Sequence, residues 1–339
     1  MIPTRLSDFL LDAWRKSGPV AWCLFPLTLL SHAYIGIAKL AYKWGWKSTV
    51  KLSVPVIVVG NVMVGGTGKT PVVIHLAQKL TQMGWQVGVI ARGHGGHHAD
   101  STEVTQQSLA REVGDEALLL KHRLGLPVFI GQRRAQAGLL LLQTYPQTQL
   151  IISDDGLQHH ALHHDIALCV FDDRGLGNGF LLPAGPLRES WPRHVNQGLV
   201  QITLHTGNKP FEGSLAAHRQ LAGYAVNARG EQRALHTWQH QSVDVVAAIA
   251  QPELFFSALR QTGLLLAHTQ ALPDHDSLDH WQPHSANDVL CTEKDAVKLW
   301  QHHPDVWAVP LECELPLVFW ERLMPHLHRL SLAHGQQTA

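Results

Sequence analysis

Lys69 and Thr70 follow three closely spaced glycines, at positions 65, 66 and 68, between a β-branched apolar run and a segment of helical periodicity. The amides of such a loop can turn inward around phosphate oxygens, and the helix N-terminus adds positive potential. A lysine there neutralises β- and γ-phosphate charge, and a threonine hydroxyl can ligate magnesium. Gly65, Gly66, Thr67, Gly68, Lys69 and Thr70 are the expected nucleotide cradle. The strict spacing G-x4-G-K-[ST] wants glycine at 63, where this chain has Met63. The loop resembles the variant with two adjacent glycines, with Val64 where some ATPases of that group carry a signature lysine.

Further along, the apolar run Leu150–Ser153 ends in Asp154 and Asp155. In an open α/β sheet, ligands bind past the C-terminal ends of the strands, so two carboxylates there are placed to hold magnesium or its water shell. A solvated turn is the competing reading. His159, His160, His163 and His164 follow, and on a helix the pairs 159/163 and 160/164 would each grip a transition metal. His159 is alternatively a contact for nucleotide or substrate.

The elements that must position these groups alternate between short β-branched runs and helical stretches. The expected strands are Val54–Val59, Gln86–Ala91, Pro127–Ile130, Gln149–Ser153, Ile166–Phe171 and Leu199–Leu204. Helices are expected at Lys69–Met83, Gly114–Arg123 and Arg133–Gln143. Residues Gly207–Gln241 are polar and read as a connecting segment. Strands at Val243–Ile249, Gly263–Ala267 and Asp288–Cys291 and a helix at Pro252–Gln261 follow. The pattern predicts an α/β fold: a P-loop NTPase-like, doubly wound, mostly parallel sheet with a second, smaller α/β lobe. The expected division is an N-terminal helical segment at 1–50, a nucleotide-binding core at 51–206 and a connecting segment with C-terminal lobe at 207–339.

Composition narrows the partners. The 339 residues carry 27 basic and 27 acidic side chains, so no global basic field exists to hold a nucleic acid. The four cysteines are far apart and form no CxxC pair, which points to a reducing compartment. At the N-terminus the uncharged span Pro19–Ala38 is about long enough to cross a bilayer, but Pro26, His32 and Gly36 interrupt it, and no small-residue cleavage site follows. The spacing of His32, Gly36, Lys39, Lys43 and Lys47 gathers polar groups on one helix face, with Leu30, Tyr34, Ile37, Ala41 and Trp44 opposite. An amphipathic helix lying on a membrane surface is the favoured expectation.

The phosphate loop, Arg92-Gly93, Gly114-Asp-Glu116, Asp154-Asp-Gly-Leu-Gln-His159, Leu182-Pro-Ala-Gly-Pro-Leu-Arg-Glu189 and Thr292-Glu-Lys-Asp-Ala-Val-Lys298 occur in order along nearly the whole chain. In this series the sequence resembles the tetraacyldisaccharide 4'-kinases of lipid A synthesis. The resemblance implies transfer of phosphate from ATP, with Mg2+, to the 4'-hydroxyl of a lipid-linked disaccharide 1-phosphate, giving lipid IVA. It also implies a peripheral or monotopic place at the cytoplasmic face of the inner membrane, on the lipid surface, and no obligate protein partner is inferred. It assigns Asp115 as the base that takes the sugar hydroxyl proton and His275 as its partner, beside Lys69. Glu189 joins Thr70, Asp154 and Asp155 near the metal, and Arg92, His159 and Arg188 are candidate substrate contacts. His94 stands where the family usually has an aromatic after Arg-Gly, and Ala117 where proline is common. Thr292-Glu-Lys-Asp295 reads first as a helix cap, with Lys294 or Lys298 as an alternative phosphate contact.

Two other classes fit parts of the pattern. A membrane-bound regulatory or partitioning ATPase would share the double-glycine loop, and Val64 argues against it. A metal-dependent hydrolase would use Asp154, Asp155 and the histidines.

Overall fold

The computed structural model describes residue 14 and residues 16–96, 100–193, 198–209 and 211–335. Helix α1 (Pro19–Lys43) opens it. Strand β1 (Val56–Gly60) leads into α2 (Lys69–Gln82), and β2 (Val87–Ala91) and β3 (Thr102–Glu103) precede α3 (Ala110–Val113) and α4 (Asp115–Leu124). Next come β4 (Val128–Ile130), α5 (Arg134–Thr144), β5 (Leu150–Asp154), β6 (Ile166–Phe171) and β7 (Val200–His205). Short strands β8 (Leu215–Ala216), β9 (His218–Leu221), β10 (Tyr224–Val226) and β11 (Gln232–Ala234) follow. The last elements are β12 (Ser242–Ala247), α6 (Pro252–Gln261), β13 (Leu265–Ala271), β14 (Val289–Thr292), α7 (Glu293–Leu299), β15 (Trp307–Val309), β16 (Leu311–Glu314) and α8 (Leu317–Gly335).

Two compact units result, each discontinuous in sequence: Met1–Lys69 with Thr148–Ala217 and Leu315–Ala339, and Thr70–Gln147 with His218–Glu314. These differ from the linear division at residues 50 and 206. Parallel pairing explains the difference, because each crossover carries the chain away from a strand before its neighbour is laid down.

In the first unit the strand order is β5-β1-β6-β7-β8, every pair parallel. β1, β5 and β6 are buried at every position, as expected for β-branched strands covered on both faces. Val59 lies in register with Asp154, so the end of β1 and the acidic end of β5 come out side by side. In the second unit β2 and β4 run parallel with β3 antiparallel at the edge. A six-stranded sheet there, β11-β10-β15-β14-β12-β13, has its last four strands parallel. Its two faces bury separate cores, one around Trp238, Phe256 and Leu259, the other around Trp281, Val289 and Leu299.

The segment Gly207–Gln241, read from sequence as a connector, instead holds β8 to β11 and a 3-10 turn at Leu235–Trp238. These strands are two to four residues long and largely half-exposed, too short to leave a readable alternation.

Helix α1 exposes Leu30, Tyr34, Ile37 and Trp44 of its expected apolar face and buries Ala41. It starts at Gly18 with Pro19 at its first position, where a missing N–H costs nothing. Ala21, Thr28 and Ala41 are buried, while Trp22, Leu29, Leu30, Tyr34 and Ile37 are exposed. Phe180 meets the rings of Trp22 and Phe25, Ser31 donates to the Leu182 carbonyl at 2.6 Å, and Tyr42 meets His160. The side chains of Lys39 and Lys43 lie outside the described residues. Helix residues Pro19–Tyr42 are long and apolar enough to cross a membrane by length and composition.

Candidate active site

The first unit assembles the phosphate loop against the acidic strand end. Past β1, Val64 donates its amide to the Pro186 carbonyl at 2.9 Å and Arg188 donates its own to Val62 at 2.7 Å. The Pro186–Glu189 segment is thereby laced to the loop's leading edge. Gly65 and Gly68 take positive φ, 91° and 76°, a region other residues rarely enter. Gly65 and Gly66 are exposed, and Thr67 is buried with its hydroxyl lacking a partner among the described residues.

Lys69 Nζ lies 3.4 Å from Asp155 Oδ1 and 3.4 Å from Asn61 Oδ1. On its other side Asp155 meets Arg188 Nη1 at 3.3 Å. Burial pushes the Asp155 carboxyl up, but the two cations outweigh it and hold its pKa below the usual value. Asp155 itself sits at φ 49°, a left-handed turn that swings its carboxylate toward Lys69 while Asp154 stays in the strand, buried. Glu189 is also buried, held by Arg193 at 3.1 Å and by Gln158 Nε2 at 2.8 Å. Gln158 donates as well to the Asn61 carbonyl at 3.0 Å, tying Glu189 to the start of the loop. Asn61 and Gln158 carry no charge, and the sequence reading gave them no role although Gln158 lies within the Asp154–His159 motif.

His159 follows on a half-buried turn. The helical spacing expected for His159, His160, His163 and His164 is not realised: the segment forms turns closed by an isolated bridge between Val50 and Leu162. No metal-binding cluster occurs among the described residues. His164 is largely buried, which drops its pKa to about 4 with help from Arg193.

The second unit brings Asp115 and His275 together across 160 positions of sequence. His275 Nδ1 lies 3.1 Å from Asp115 Oδ2, and Lys294 Nζ lies 3.2 Å from His275 Nε2. Lys294 and Lys298 approach the same Asp115 oxygen at 3.8 and 4.0 Å. Asp115 begins α4 and its other oxygen accepts the Glu116 amide. The preceding Gly114 has φ 86°, and a Cβ there would stand 2.4 Å from the His94 carbonyl oxygen, so glycine alone fits. Burial pushes the Asp115 pKa up, yet His275 and Lys294 hold it below the ordinary value. The His275 pKa is raised, chiefly by its hydrogen bond to Asp115, against burial and Lys294. A carboxylate that stays ionised, bonded to an imidazole, is equipped to take a proton and hand it on.

The expected cap is present: Thr292 accepts the Asp295 amide and donates to Asp295 Oδ2 at 2.6 Å, and the buried Asp295 accepts Ala248 N–H. It fixes α7 so that Lys294 and Lys298, four apart, both turn to Asp115. Their role as neighbours of the carboxylate was signalled only by that spacing. Arg92 is exposed just beyond β2, and Thr70 is half-buried in the first turn of α2.

A parallel α/β sheet whose central strand feeds a glycine-rich loop, a lysine and flanking carboxylates belongs to the P-loop nucleotide-binding class. Comparison with known proteins takes this further. The family profile described as tetraacyldisaccharide-1-P 4'-kinase matches residues 20–328. The tetraacyldisaccharide 4'-kinase of Acidovorax sp. (strain JS42) is 46% identical over 333 residues, covering 97% of both chains. That of Delftia acidovorans is 47% identical over 333 residues, again with 97% of each covered. The crystal structure of LpxK from Aquifex aeolicus, an "apo" form in complex with ATP, matches with a TM-score of 0.79 at 27% identity, over 91% of this chain and 99% of that one. The chain belongs to the tetraacyldisaccharide-1-P 4'-kinase family.

Proposed function

We propose that the chain performs the reaction for which its family is named: transfer of the γ-phosphate of ATP to the 4'-hydroxyl of a tetraacyldisaccharide 1-phosphate, giving lipid IVA in lipid A synthesis. The observation that carries this is the family match across residues 20–328 of a chain whose glycine-rich loop ends in Lys69, held between Asp155 and Asn61.

In this reading the amides of Gly65 to Gly68 take the phosphate oxygens. Lys69 exchanges Asp155 and Asn61 for β- and γ-phosphate oxygens, which keeps its ammonium in place before and after nucleotide arrives. Thr70, Asp154, Asp155 and Glu189 would hold Mg2+, which would supply neutralisation of charge on the phosphoryl group. The donors fit a hard cation, being hydroxyl and carboxylate oxygens without imidazole or thiolate. Asp115, kept ionised by Lys294 and His275, accepts the sugar hydroxyl proton and passes it to His275. Arg92, Arg188 and His159 contact substrate phosphate or sugar.

For α1 the outward face of Trp22, Leu29, Leu30, Tyr34 and Ile37 supports contact with lipid. Contacts of α1 with the rest of the first unit near its start, middle and end support a helix lying along a membrane surface rather than across it, and the cytoplasmic side of the inner membrane is the place this reading gives it.

The test is thin-layer detection of labelled phosphate moving from ATP to a tetraacyl disaccharide 1-phosphate. The wild-type chain is expected to transfer it and Lys69→Ala to lose transfer while keeping its circular dichroism spectrum. Full turnover by Lys69→Ala, or none by wild type with Mg2+ and acceptor present, refutes the reading.

A further inference from the structure

The phosphate loop is gripped from behind at four consecutive peptide units. Val64 O accepts from Arg174 Nη1 at 3.4 Å, Gly65 O from Asn61 Nδ2 at 3.2 Å, Gly66 O from Arg174 Nη2 at 2.8 Å and Thr67 O from Thr206 Oγ1 at 2.8 Å. In a planar trans peptide the carbonyl and the following N–H point in opposite directions. Each grip therefore turns one amide, of Gly65, Gly66, Thr67 and Gly68 in order, away from its brace. None of those four amides donates to a partner among the described residues.

The braces are themselves fixed. Arg174 is clamped by Asp172, Nε at 3.0 and 2.9 Å from the two carboxylate oxygens and Nη2 at 2.7 Å. Its guanidinium is therefore committed in geometry, with charge largely neutralised, and spends its remaining N–H groups on the loop. Thr206 is buried beside the end of β6, where its hydroxyl also reaches Phe171 O at 3.2 Å and its amide donates to the same carbonyl. A Cβ at Gly65 would lie 3.1 Å from Arg174 Nη1, a tight contact, at a φ of 91° that other residues rarely adopt.

We propose that Arg174 and Thr206 are positioning residues of the phosphate site: they hold the loop carbonyls outward so that four amides are pre-aimed at the phosphates before nucleotide binds. The proposal rests on the reading of this loop as the ATP site. Pre-aimed donors avoid a reorganisation cost at binding, so their loss falls on affinity for the phosphate chain and only weakly on the transfer step.

The experiment measures binding of ATP and of tripolyphosphate, which offers the loop phosphates alone, by calorimetry, together with KM and kcat for ATP. Arg174→Met is expected to weaken both ligands by about tenfold, as for losing two hydrogen bonds that hold the loop, with kcat at saturating ATP within about threefold of wild type. Arg174→Lys, with a point charge in place of a fork, recovers only part. Thr206→Val weakens both ligands and Thr206→Ser restores them, an independent pair should Arg174→Met fail to fold. Binding of tripolyphosphate by folded Arg174→Met within about twofold of wild type overturns the proposal, as does a fall in kcat with unchanged affinity. Equal affinities in Thr206→Val and Thr206→Ser also overturn it. Failure of the wild-type chain to bind either ligand is a separate result, seen before any variant is made, and removes the site itself.

Discussion

Replacing Asp115 by Asn tests the second unit's pair most sharply, because the structure fixes the sign of the effect on its partner. Asp115 Oδ2 is the largest influence raising the His275 pKa; against it stand burial and the Lys294 ammonium, 3.2 Å from Nε2. Asp274, 3.9 Å from the same nitrogen, is the weakest contributor. Lys298 and the His94 ring complete the surroundings. With the Asp115 charge gone, burial and Lys294 prevail, so the His275 pKa moves from above the ordinary value of about 6.5 to below it. A group whose pKa is raised by folding contributes stability that is full below its unfolded pKa and fades as pH rises through the folded one. The stability gap between wild type and Asp115→Asn therefore narrows from pH 6 toward pH 8. Asp115, whose pKa is lowered, contributes stability above about 3.8 that is lost only as pH falls through its folded value. An NMR titration of the His275 ring, assigned with His275→Asn, reads the first effect and urea unfolding at several pH values the second. Loss of the proton acceptor is expected to lower kcat by about 10²- to 10⁴-fold. Identical His275 midpoints in wild type and Asp115→Asn, or a gap that widens with pH, refute the reasoning.

Three other changes follow from the same geometry. Thr292→Ala removes the α7 cap and a donor to the buried Asp295, with an expected loss of about 1–2 kcal/mol in urea unfolding. Gly114→Ala forces a Cβ to within 2.4 Å of the His94 carbonyl at φ 86°; it is expected to destabilise by at least about 1–3 kcal/mol and to lower kcat by displacing Asp115, and unchanged unfolding refutes it. Leu30→Glu with Ile37→Glu, both exposed on α1, is expected to abolish co-flotation with phospholipid vesicles while the ATP dissociation constant stays within about twofold, since a carboxylate at the lipid interface is costly and the loop lies elsewhere.

What was legible in the sequence was local. The phosphate loop, the acidic end of β5 and the helix cap at Thr292 are defined by neighbours within a few positions, where glycine conformation, strand burial and capping chemistry act directly. The strands read from β-branched runs lie within two residues of those observed wherever the strand is buried on both faces, as at Ile166–Phe171. The reading faltered where the deciding partner is distant or the signal short. Strands β8 to β11 are too brief for periodicity. The histidine cluster has helical spacing but is held in turns by Val50, more than a hundred positions earlier. The outward face of α1 is apolar and its inward stripe, Ala21 and Thr28 among it, is small, so a polar-versus-apolar sort of its residues could not find the buried side.

Asp115 shows why such sites resist sequence reading. A buried carboxylate is costly unless cations meet it, and here the cations come from His275, Lys294 and Lys298, 160 to 183 positions away. Nothing near Gly114-Asp-Glu116 reports them. Yet each is placed by a local device: the positive φ of His275, the Thr292 cap that orients α7, and the four-residue spacing that puts both lysines on one face. The environment that keeps Asp115 ionised is therefore the sum of several legible local structures. The β14–β12 register, Asp244 against Val289 through Val246 against Cys291, together with the Lys298 bond to the Asp276 carbonyl, brings α7 and the His275 turn into one place, and a single sequence does not encode that register where it can be read.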